Sequence, residues 1–286
     1  MNQKNSPIIN TSELLKIYNN ENVIIVNACG SEQAIKTYRE KHLEGALYVD
    51  LDNDLADIKK DFSIGGRHPL PTISQFSKTL TNLGISNNIH IVIYDGKNGS
   101  NSSARFWWML KAAGVNNVQV LNGGFQEAER NGFPMSSTIE KPKTTVTYKF
   151  SQWQLPIATI DEVSLSSKKE KQNIIDVRSF ERFNGTTEPI DLVAGHIPNA
   201  INIPLTENLD SDGLFKSPQL LKEKYKSYFE NSEKELIVHC GSGVTACHTL
   251  LAMDYAGFKI PKLYVGSWSE WSRNNKPIAT DNHLKK

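Results

Sequence analysis

Short apolar runs alternate with amphipathic stretches along most of this chain. The runs have the length and the branched side chains of buried strands, and they fall at residues 23–26, 47–49, 89–94, 118–121, 173–176 and 236–238. Helical spacing follows several of them, and it predicts helices from Thr72 or Ser74 to about Leu83 and from Arg105 to Ala113. Strands that alternate with helices predict an α/β fold, in which a mainly parallel sheet is flanked by helices.

The order of these signals occurs twice in the chain. The run at 173–176 matches the run at 23–26, and residues 237–240 match residues 92–95. Other pairs recur in the same order, namely His42 and His196, Gly123 and Gly266, and Pro134 and Pro277. Internal similarity of this kind predicts two copies of one domain. We assign them to residues 1–140 and 157–286, joined by a linker over residues 141–156 that has no clear period.

The candidate chemistry follows the apolar run at 236–238. Cys240 lies at the predicted end of this strand, and Gly241 and Gly243 follow it in a turn that leads into a helix. Glycines let the backbone curl so that several N–H groups point at one spot, and the helix adds the positive end of its dipole. A thiol in such a place is expected to be largely thiolate at neutral pH, which makes Cys240 a candidate nucleophile. The alternative is a buried cysteine that acts only as a small hydrophobe.

The matched position in the first copy is Asp95. A carboxylate cannot act as a sulfur nucleophile, so we expect only the second copy to be reactive and the first to support, cover or line the site. Ligands of such folds bind beyond the carboxyl ends of the strands, which is where Cys240 falls.

Composition and charge narrow the function further. The chain has 286 residues with 32 basic and 31 acidic side chains, and this balance argues against nucleic acid or a membrane surface as partner. No stretch reaches the ~18 apolar residues of a membrane helix, and the N-terminus lacks the apolar core of a signal peptide. The three cysteines have no regular spacing, so we expect neither a disulfide framework nor a metal site. The expectation is a cytoplasmic protein without a cofactor.

The repeat and the cysteine loop together resemble a known family. Over nearly its full length the chain is similar to the tandem-domain rhodanese-type sulfurtransferases, and the loop Cys240-Gly-Ser-Gly-Val-Thr-Ala246 resembles their 3-mercaptopyruvate sulfurtransferase branch. Further matches are His42-Leu-Glu-Gly, His196-Ile-Pro-Asn, Phe106-Trp-Trp-Met109, Asp176-Val-Arg-Ser and Arg182-Phe-Asn-Gly185. The resemblance implies two rhodanese-like domains, of which the first lacks the catalytic cysteine.

The resemblance also implies a reaction. The Cys240 thiolate would take sulfur from 3-mercaptopyruvate, form a persulfide, and pass the outer sulfur to cyanide or to a thiol such as thioredoxin, in two covalent steps. Backbone N–H groups would stabilise the anionic persulfide, and they belong to Gly241, Ser242, Gly243, Val244 and Thr245.

The resemblance assigns roles to side chains outside the loop as well. It places Ser242 close to His68 and to a carboxylate, which is Asp52 by position, with Asp50 as the alternative. Arg182 matches the arginine that holds the carboxylate of the donor, a task that suits its planar guanidinium.

One departure from the family pattern concerns the donor. A second arginine commonly follows in a Glu-Pro-Arg run, and this chain has Ile190 at that position. Losing one charged contact costs about 1.5–3 kcal/mol of donor binding. Arg105, which follows the Asp95 loop, would be the compensating residue from the first copy.

Three other functions compete with this one. Thiosulfate is the alternative donor, and the absence of Lys or Arg at Gly241, Ser242 and Gly243 argues against a dianion. A cysteine phosphatase would need an arginine that closes the loop, but position 246 is Ala. A non-catalytic binding or sulfur-relay module is disfavoured because the second copy keeps the cysteine and its loop.

Overall fold

The computed structural model describes residues 6–86, 88–142, 147–168, 173–230 and 235–280. These residues form two compact units. The first comprises the chain up to Asp57, Pro71–Gln154 and Asp210–Phe215, and the second comprises Ile58–Leu70, Leu155–Leu209 and the chain from Lys216 onward. The domain limits at 140 and 157 remain a prediction, and residues 143–146 of the predicted linker lie outside the described residues.

The first unit is built on one parallel sheet. Its strands are β1 (Ile8–Ile9), β2 (Val23–Cys29), β4 (Ala46–Asp50), β5 (His90–Tyr94) and β6 (Val118–Leu121), and a separate antiparallel pair joins β3 (His42–Leu43) to β7 (Met135–Ser136). Its helices are α1 (Thr11–Leu14), α2 (Glu32–Glu40), α3 (Ile73–Asn82), α4 (Ser102–Ala112) and α5 (Gly124–Arg130). The five strands of the sheet lie in the order β1-β6-β5-β2-β4.

The second unit repeats this plan. Its strands are β8 (Ile157–Ala158), β9 (Ile174–Asp176), β10 (Ala200–Asn202), β11 (Ile237–His239) and β12 (Lys262–Tyr264). Its helices are α6 (Ile160–Ser166), α7 (Phe180–Phe183), α8 (Pro218–Phe229), α9 (Ala246–Tyr255) and α10 (Ser267–Trp271), with a short 3₁₀ helix at Leu205–Asn208. The strands are again all parallel, in the order β8-β12-β11-β9-β10.

The two strand orders confirm both the α/β prediction and the internal repeat. β5 and β11, which precede Asp95 and Cys240, occupy the same central place in their sheets. The predicted helix near Thr72 is α3, and Thr72 caps it by accepting a hydrogen bond from the backbone of Gln75. The repeat extends to small features, since His42 pairs with Ser136 in the first unit and His196 pairs with Ala279 in the second.

Large aromatic side chains fill the interior of each unit. Trp107 and Trp108 of α4 and Trp268 and Trp271 of α10 are fully buried. α9 is buried along nearly its whole length, so the helix that follows the cysteine loop is held on all sides. Among the helices of the described residues, none has the length and apolar character needed to cross a bilayer.

Candidate active site

The candidate nucleophile lies where a central strand of the second unit ends. β11 ends at His239, Cys240 follows it, and α9 begins at Ala246. The Cys240 residue is only 1% exposed. The sequence therefore places a thiol between a buried strand and the N-terminus of a buried helix, as predicted.

Neighbouring backbone holds the start of this loop. The carbonyl oxygen of Cys240 accepts a hydrogen bond from the N–H of Trp268 at 3.0 Å, and that of Gly241 accepts one from Ser269 at 2.9 Å. The Cys240 N–H donates to the Ser267 hydroxyl at 3.2 Å. Ser267 has φ +53°, a left-handed conformation that is unusual for serine and that marks a strained turn.

The middle of the loop requires glycine. Gly243 has φ +72°, and a Cβ at this position would lie 2.4 Å from the Val265 carbonyl oxygen. Within the described part of the chain, four N–H groups of the loop have no intrachain acceptor, those of Gly241, Ser242, Val244 and Thr245. We call the backbone of residues 241–245 the anion cradle, because unpaired N–H groups beside a helix N-terminus attract negative charge.

A histidine lies within hydrogen-bond distance of the hydroxyl group of the loop. The Nδ1 atom of His68 lies 2.8 Å from the Ser242 Oγ atom, a hydrogen-bond distance. Segment 58–70 belongs to the second unit, where the Gly65 N–H donates to the Glu270 carboxylate at 2.8 Å. The predicted pairing of His68 with Ser242 is thus present.

Arg182 is held in the same unit by a buried carboxylate. Its Nε and Nη2 atoms donate to Glu188 at 3.0–3.1 Å and 2.8 Å. Burial opposes the charged form of Glu188, but the Arg182 hydrogen bonds and the N–H groups of Asp191 and Ile190 outweigh it and lower the pKa of this carboxyl. Glu188 therefore stays ionised and fixes the Arg182 guanidinium at neutral pH.

A second carboxylate forms salt bridges with three guanidiniums. Asp191 accepts two hydrogen bonds from Arg67, at 3.1 and 3.2 Å, and single ones from Arg182 at 3.4 Å and Arg273 at 3.1 Å. Two of these groups lie against the cradle, because a Cβ on Gly241 would be 2.9 Å from the Arg67 Nη2 atom and 3.2 Å from the Arg182 Nη2 atom. The loop carries no basic residue of its own, but cationic charge reaches it from outside.

A buried salt bridge lies close to the residue that precedes the cysteine. Asp176 forms a salt bridge to Arg178, and its carboxylate is 3.6 Å from the Nε2 atom of His239. Burial opposes the charge on Asp176, but the charge and hydrogen bonds of Arg178 outweigh it and lower the pKa of this carboxyl. Burial lowers the pKa of His239, which keeps the imidazole neutral at pH 7. The His239 Nδ1 atom is 3.1 Å from the Cys240 carbonyl oxygen, so the imidazole contacts the backbone at the start of the loop.

Two predicted site residues, Asp52 and Arg105, belong to the first unit. The Asp50 carboxylate accepts hydrogen bonds from its own turn, including the N–H of Asp52 at 3.0 Å, whereas the Asp52 side chain is exposed. Arg105 is fully buried and donates to the Leu55 carbonyl oxygen at 3.4 Å. Membership of Asp52 and Arg105 in the site stays a prediction.

The matching loop of the first unit binds its own carboxylate. The Oδ1 atom of Asp95 accepts the N–H groups of Lys97 and Gly99 at 2.8 and 3.0 Å. Its Oδ2 atom accepts those of Asn101 and Ser103 at 3.1 and 3.2 Å, and the Ser103 hydroxyl at 2.7 Å. The first loop therefore already holds an anion.

The remaining thiols differ from Cys240 in their surroundings. Burial and the nearby Asp95 carboxylate raise the pKa of the Cys29 thiol to about 12, so it is protonated and unreactive at neutral pH. Cys247 is fully buried on α9 and donates to the Gly243 carbonyl oxygen at 3.4 Å, which confirms its expected place in the core.

The second unit thus brings together most of the predicted site residues, namely Cys240, Gly241, Ser242, Gly243, Val244, Thr245, His68 and Arg182. Sequence reasoning missed Arg67 and Asp191. A signal for Arg67 was present, since it precedes His68 in the same loop bounded by glycines and prolines. No comparable signal marked Asp191, because two of its three arginine partners lie 82 and 124 residues away along the chain.

Known proteins match this arrangement in sequence and in fold. The sequence profile of the rhodanese-like domain matches the chain twice, over residues 10–131 and 159–274. A probable 3-mercaptopyruvate sulfurtransferase from Pseudomonas aeruginosa is 37% identical over 251 residues, which cover 86% of this chain and 86% of that protein. A thiosulfate sulfurtransferase from Mus musculus is 34% identical over 252 residues, which cover 87% and 83%. The structure of 3-mercaptopyruvate sulfurtransferase from Leishmania major has a TM-score of 0.78 at 28% identity, covering 93% of this chain and 74% of that one.

Proposed function

Because the chain belongs to the rhodanese-like domain family and is a sulfurtransferase, we propose that it transfers sulfur from 3-mercaptopyruvate to a thiol or to cyanide through a persulfide on Cys240. The observation that carries this proposal is the position of Cys240 at the head of the anion cradle, where four N–H groups have no acceptor within the described residues. The three free cysteines fit a reducing compartment, and a cytoplasmic location is part of the proposal.

In the first step the Cys240 thiolate attacks the sulfur of the donor. The new S–S bond forms as the C–S bond breaks, and the electron pair of that bond goes to carbon, which leaves as the enolate of pyruvate. The thiol proton of the donor is released and the enolate carbon takes up a proton, so pyruvate and a persulfide anion result. The cradle N–H groups stabilise this anion in the way that an oxyanion hole stabilises oxygen.

In the second step the acceptor attacks the outer sulfur. Cyanide takes this sulfur as thiocyanate, and the S–S electron pair returns to Cys240 as thiolate. A thiol acceptor, such as the cysteine of thioredoxin, takes the sulfur as its own persulfide. The chain accepts and releases sulfur at one cysteine, so ping-pong kinetics are expected.

His68 and Ser242 are proposed to handle the proton of the donor. Their 2.8 Å contact allows the hydroxyl to exchange a proton with the imidazole, the side chain that most often acts as a general acid or base. Arg182 is proposed to bind the carboxylate of the donor, since Glu188 fixes its guanidinium and Gly241 leaves room for it beside the loop.

Thiosulfate is the second candidate donor, and one observation favours it. The Arg67 and Arg182 guanidiniums beside Gly241 supply the positive charge that the loop residues themselves lack. The absence of Lys or Arg at positions 241–243 therefore no longer argues against a dianion. Relatives named for either donor are similarly distant from this chain, at 37% and 34% identity.

The test is steady-state sulfur transfer to cyanide with each donor in turn, together with mass analysis of Cys240 after donor alone. We expect kcat/KM to be much higher with 3-mercaptopyruvate, and Cys240 to gain one sulfur atom. A higher kcat/KM with thiosulfate would replace the donor but keep the mechanism. Activity with both donors but no sulfur on Cys240 would overturn the persulfide, and no activity with either would overturn the proposal.

A further inference from the structure

We infer that Arg67 is a second donor-binding guanidinium, which supplies from segment 58–70 the charge that Ile190 does not. This rests on the proposed function, because it assigns a partner to the anionic group of the same donor. The sequence alone predicts Arg105 as the replacement. The contacts within the second unit point to Arg67 instead.

The position of Ile190 explains why a replacement is needed. Its side chain is apolar and it is 53% exposed, so it contributes no charge to the loop between Arg182 and His196. The adjacent Asp191, by contrast, is buried and binds Arg67 through two parallel N–H···O contacts at 3.1 and 3.2 Å. A bidentate pair of this kind fixes both the place and the plane of a guanidinium.

The position of Arg67 places its charge beside the cradle. Its Nη2 atom lies 2.9 Å from the site of a Cβ on Gly241, which directly follows Cys240. The Arg182 Nη2 atom lies 3.2 Å from the same point. Two guanidiniums thus approach one glycine, and any side chain there would displace them.

Both guanidiniums remain partly accessible to solvent. The Arg67 and Arg182 side chains are 19% and 17% exposed, so both are largely buried but still reach solvent. Arg67 and Arg182 therefore present partly accessible positive charge beside Gly241, where an anionic group of a donor can be bound.

Arg273 provides a matched control. It shares Asp191 at 3.1 Å and donates to the Ser269 carbonyl oxygen at 2.8 Å, but it is not among the atoms nearest to Gly241. Removing Arg67 or Arg273 takes one cation from the same carboxylate. Only the loss of Arg67 takes a cation from the loop.

The experiment compares Arg67→Gln and Arg273→Gln with the parent chain. We expect Arg67→Gln to raise the donor KM about tenfold or more while kcat changes less than about threefold, since a ground-state contact to a charged group is lost. Inorganic sulfate, used as an unreactive anion, should inhibit Arg67→Gln correspondingly less. Arg273→Gln should change both constants by less than about twofold. Arg67→Lys, which keeps the charge but not the planar fork, should fall between Arg67→Gln and the parent chain.

An unchanged KM and unchanged sulfate inhibition in Arg67→Gln would overturn the inference, and so would an equal effect of Arg273→Gln. If the parent chain is inactive with both donors, the sulfate-induced shift of the unfolding midpoint replaces the kinetic readout, and its loss in Arg67→Gln alone supports the site. Failure of the proposed function appears in the parent chain, whereas failure of this inference appears only in the variants. If Arg67→Gln does not fold, Arg67→Lys and the parent chain provide the comparison.

Discussion

The loops that begin at Asp95 and at Cys240 leave matching central strands of two sheets with the same strand order, but they use their backbone N–H groups differently. In the first loop a carboxylate of the chain itself accepts four backbone N–H groups and one hydroxyl. In the second, four N–H groups have no acceptor within the described residues. The same fold therefore contains one loop that binds a carboxylate of its own and one whose N–H groups can bind an anion from outside.

The surroundings of the two loops differ in the same sense. The nearest neighbour of a Cβ on Gly96, which follows Asp95, is the neutral amide of Gln126 at 3.7 Å. The corresponding Gly241 meets two guanidiniums at 2.9 and 3.2 Å. An anion supplied by the chain needs no cation from outside, whereas an anion that arrives with a substrate is attracted and held by one. Reactivity of the second loop therefore depends on the absence of an internal carboxylate as much as on the presence of the thiol.

The largest expected effect comes from removing the nucleophile. Cys240→Ser should reduce sulfur transfer at least about a thousandfold, because a hydroxyl at neutral pH is a far weaker nucleophile than a thiolate. The measurement is thiocyanate formation from either donor. Cys29→Ser in the first unit is the control and should retain parental activity, since that thiol has a pKa of about 12. Normal turnover by Cys240→Ser would end the proposed mechanism.

The second effect is on stability and concerns the first loop. Asp95→Asn keeps one acceptor oxygen but replaces the other by an NH₂ group, which cannot accept from Asn101 or Ser103. We expect the free energy of unfolding to fall by about 1.5–3 kcal/mol, measured by denaturant titration, with unchanged activity per folded molecule. Gln126→Ala, which removes an exposed hydrogen bond to the Gly96 carbonyl oxygen, is the control and should cost less than about 0.5 kcal/mol. Equal stability of Asp95→Asn and the parent chain would contradict the carboxylate's role.

The smallest effect compares the two glycines. In Gly241→Ala the new methyl group meets the flexible ends of Arg67 and Arg182, so the fold should persist while the guanidiniums shift. We expect the donor KM to rise a few-fold, on the order of threefold to tenfold. Gly96→Ala should change neither KM nor stability by a comparable factor, because 3.7 Å is an ordinary contact. A KM that rises equally in both variants would remove the distinction between the loops.

Much of the fold was predictable because it was present twice. Paired signals such as residues 92–95 and 237–240 indicated two similar units, and the sheets confirm them. The edge strands Ile8–Ile9 and Ile157–Ala158 escaped prediction, since two residues are too few to show a period. The helix Pro218–Phe229 was also missed, because its apolar positions are sparse and polar side chains dominate it.

The candidate site was predictable only in part. The loop from Cys240 to Thr245 is continuous in sequence, so its glycines and its place between strand and helix could be inferred. The contact between Arg67 and Asp191 joins positions 124 residues apart, and only the folded unit brings them together. Arg105 was an attractive replacement for the missing arginine by position alone. Its full burial and its bond to Leu55 were not visible in the sequence.

The hydrogen bonds from the backbone of α10 to the start of the cradle affect how the sequence of the loop can evolve. The carbonyls of Cys240 and Gly241 are tied to the N–H groups of Trp268 and Ser269, and in a trans peptide the following N–H points the opposite way. The direction of the Gly241 and Ser242 N–H groups is therefore set by main chain outside the loop, and not by the side chain at position 242. A substitution at position 242 that arises by drift or directed evolution would thus alter the contact with His68 while these two backbone donors keep their direction.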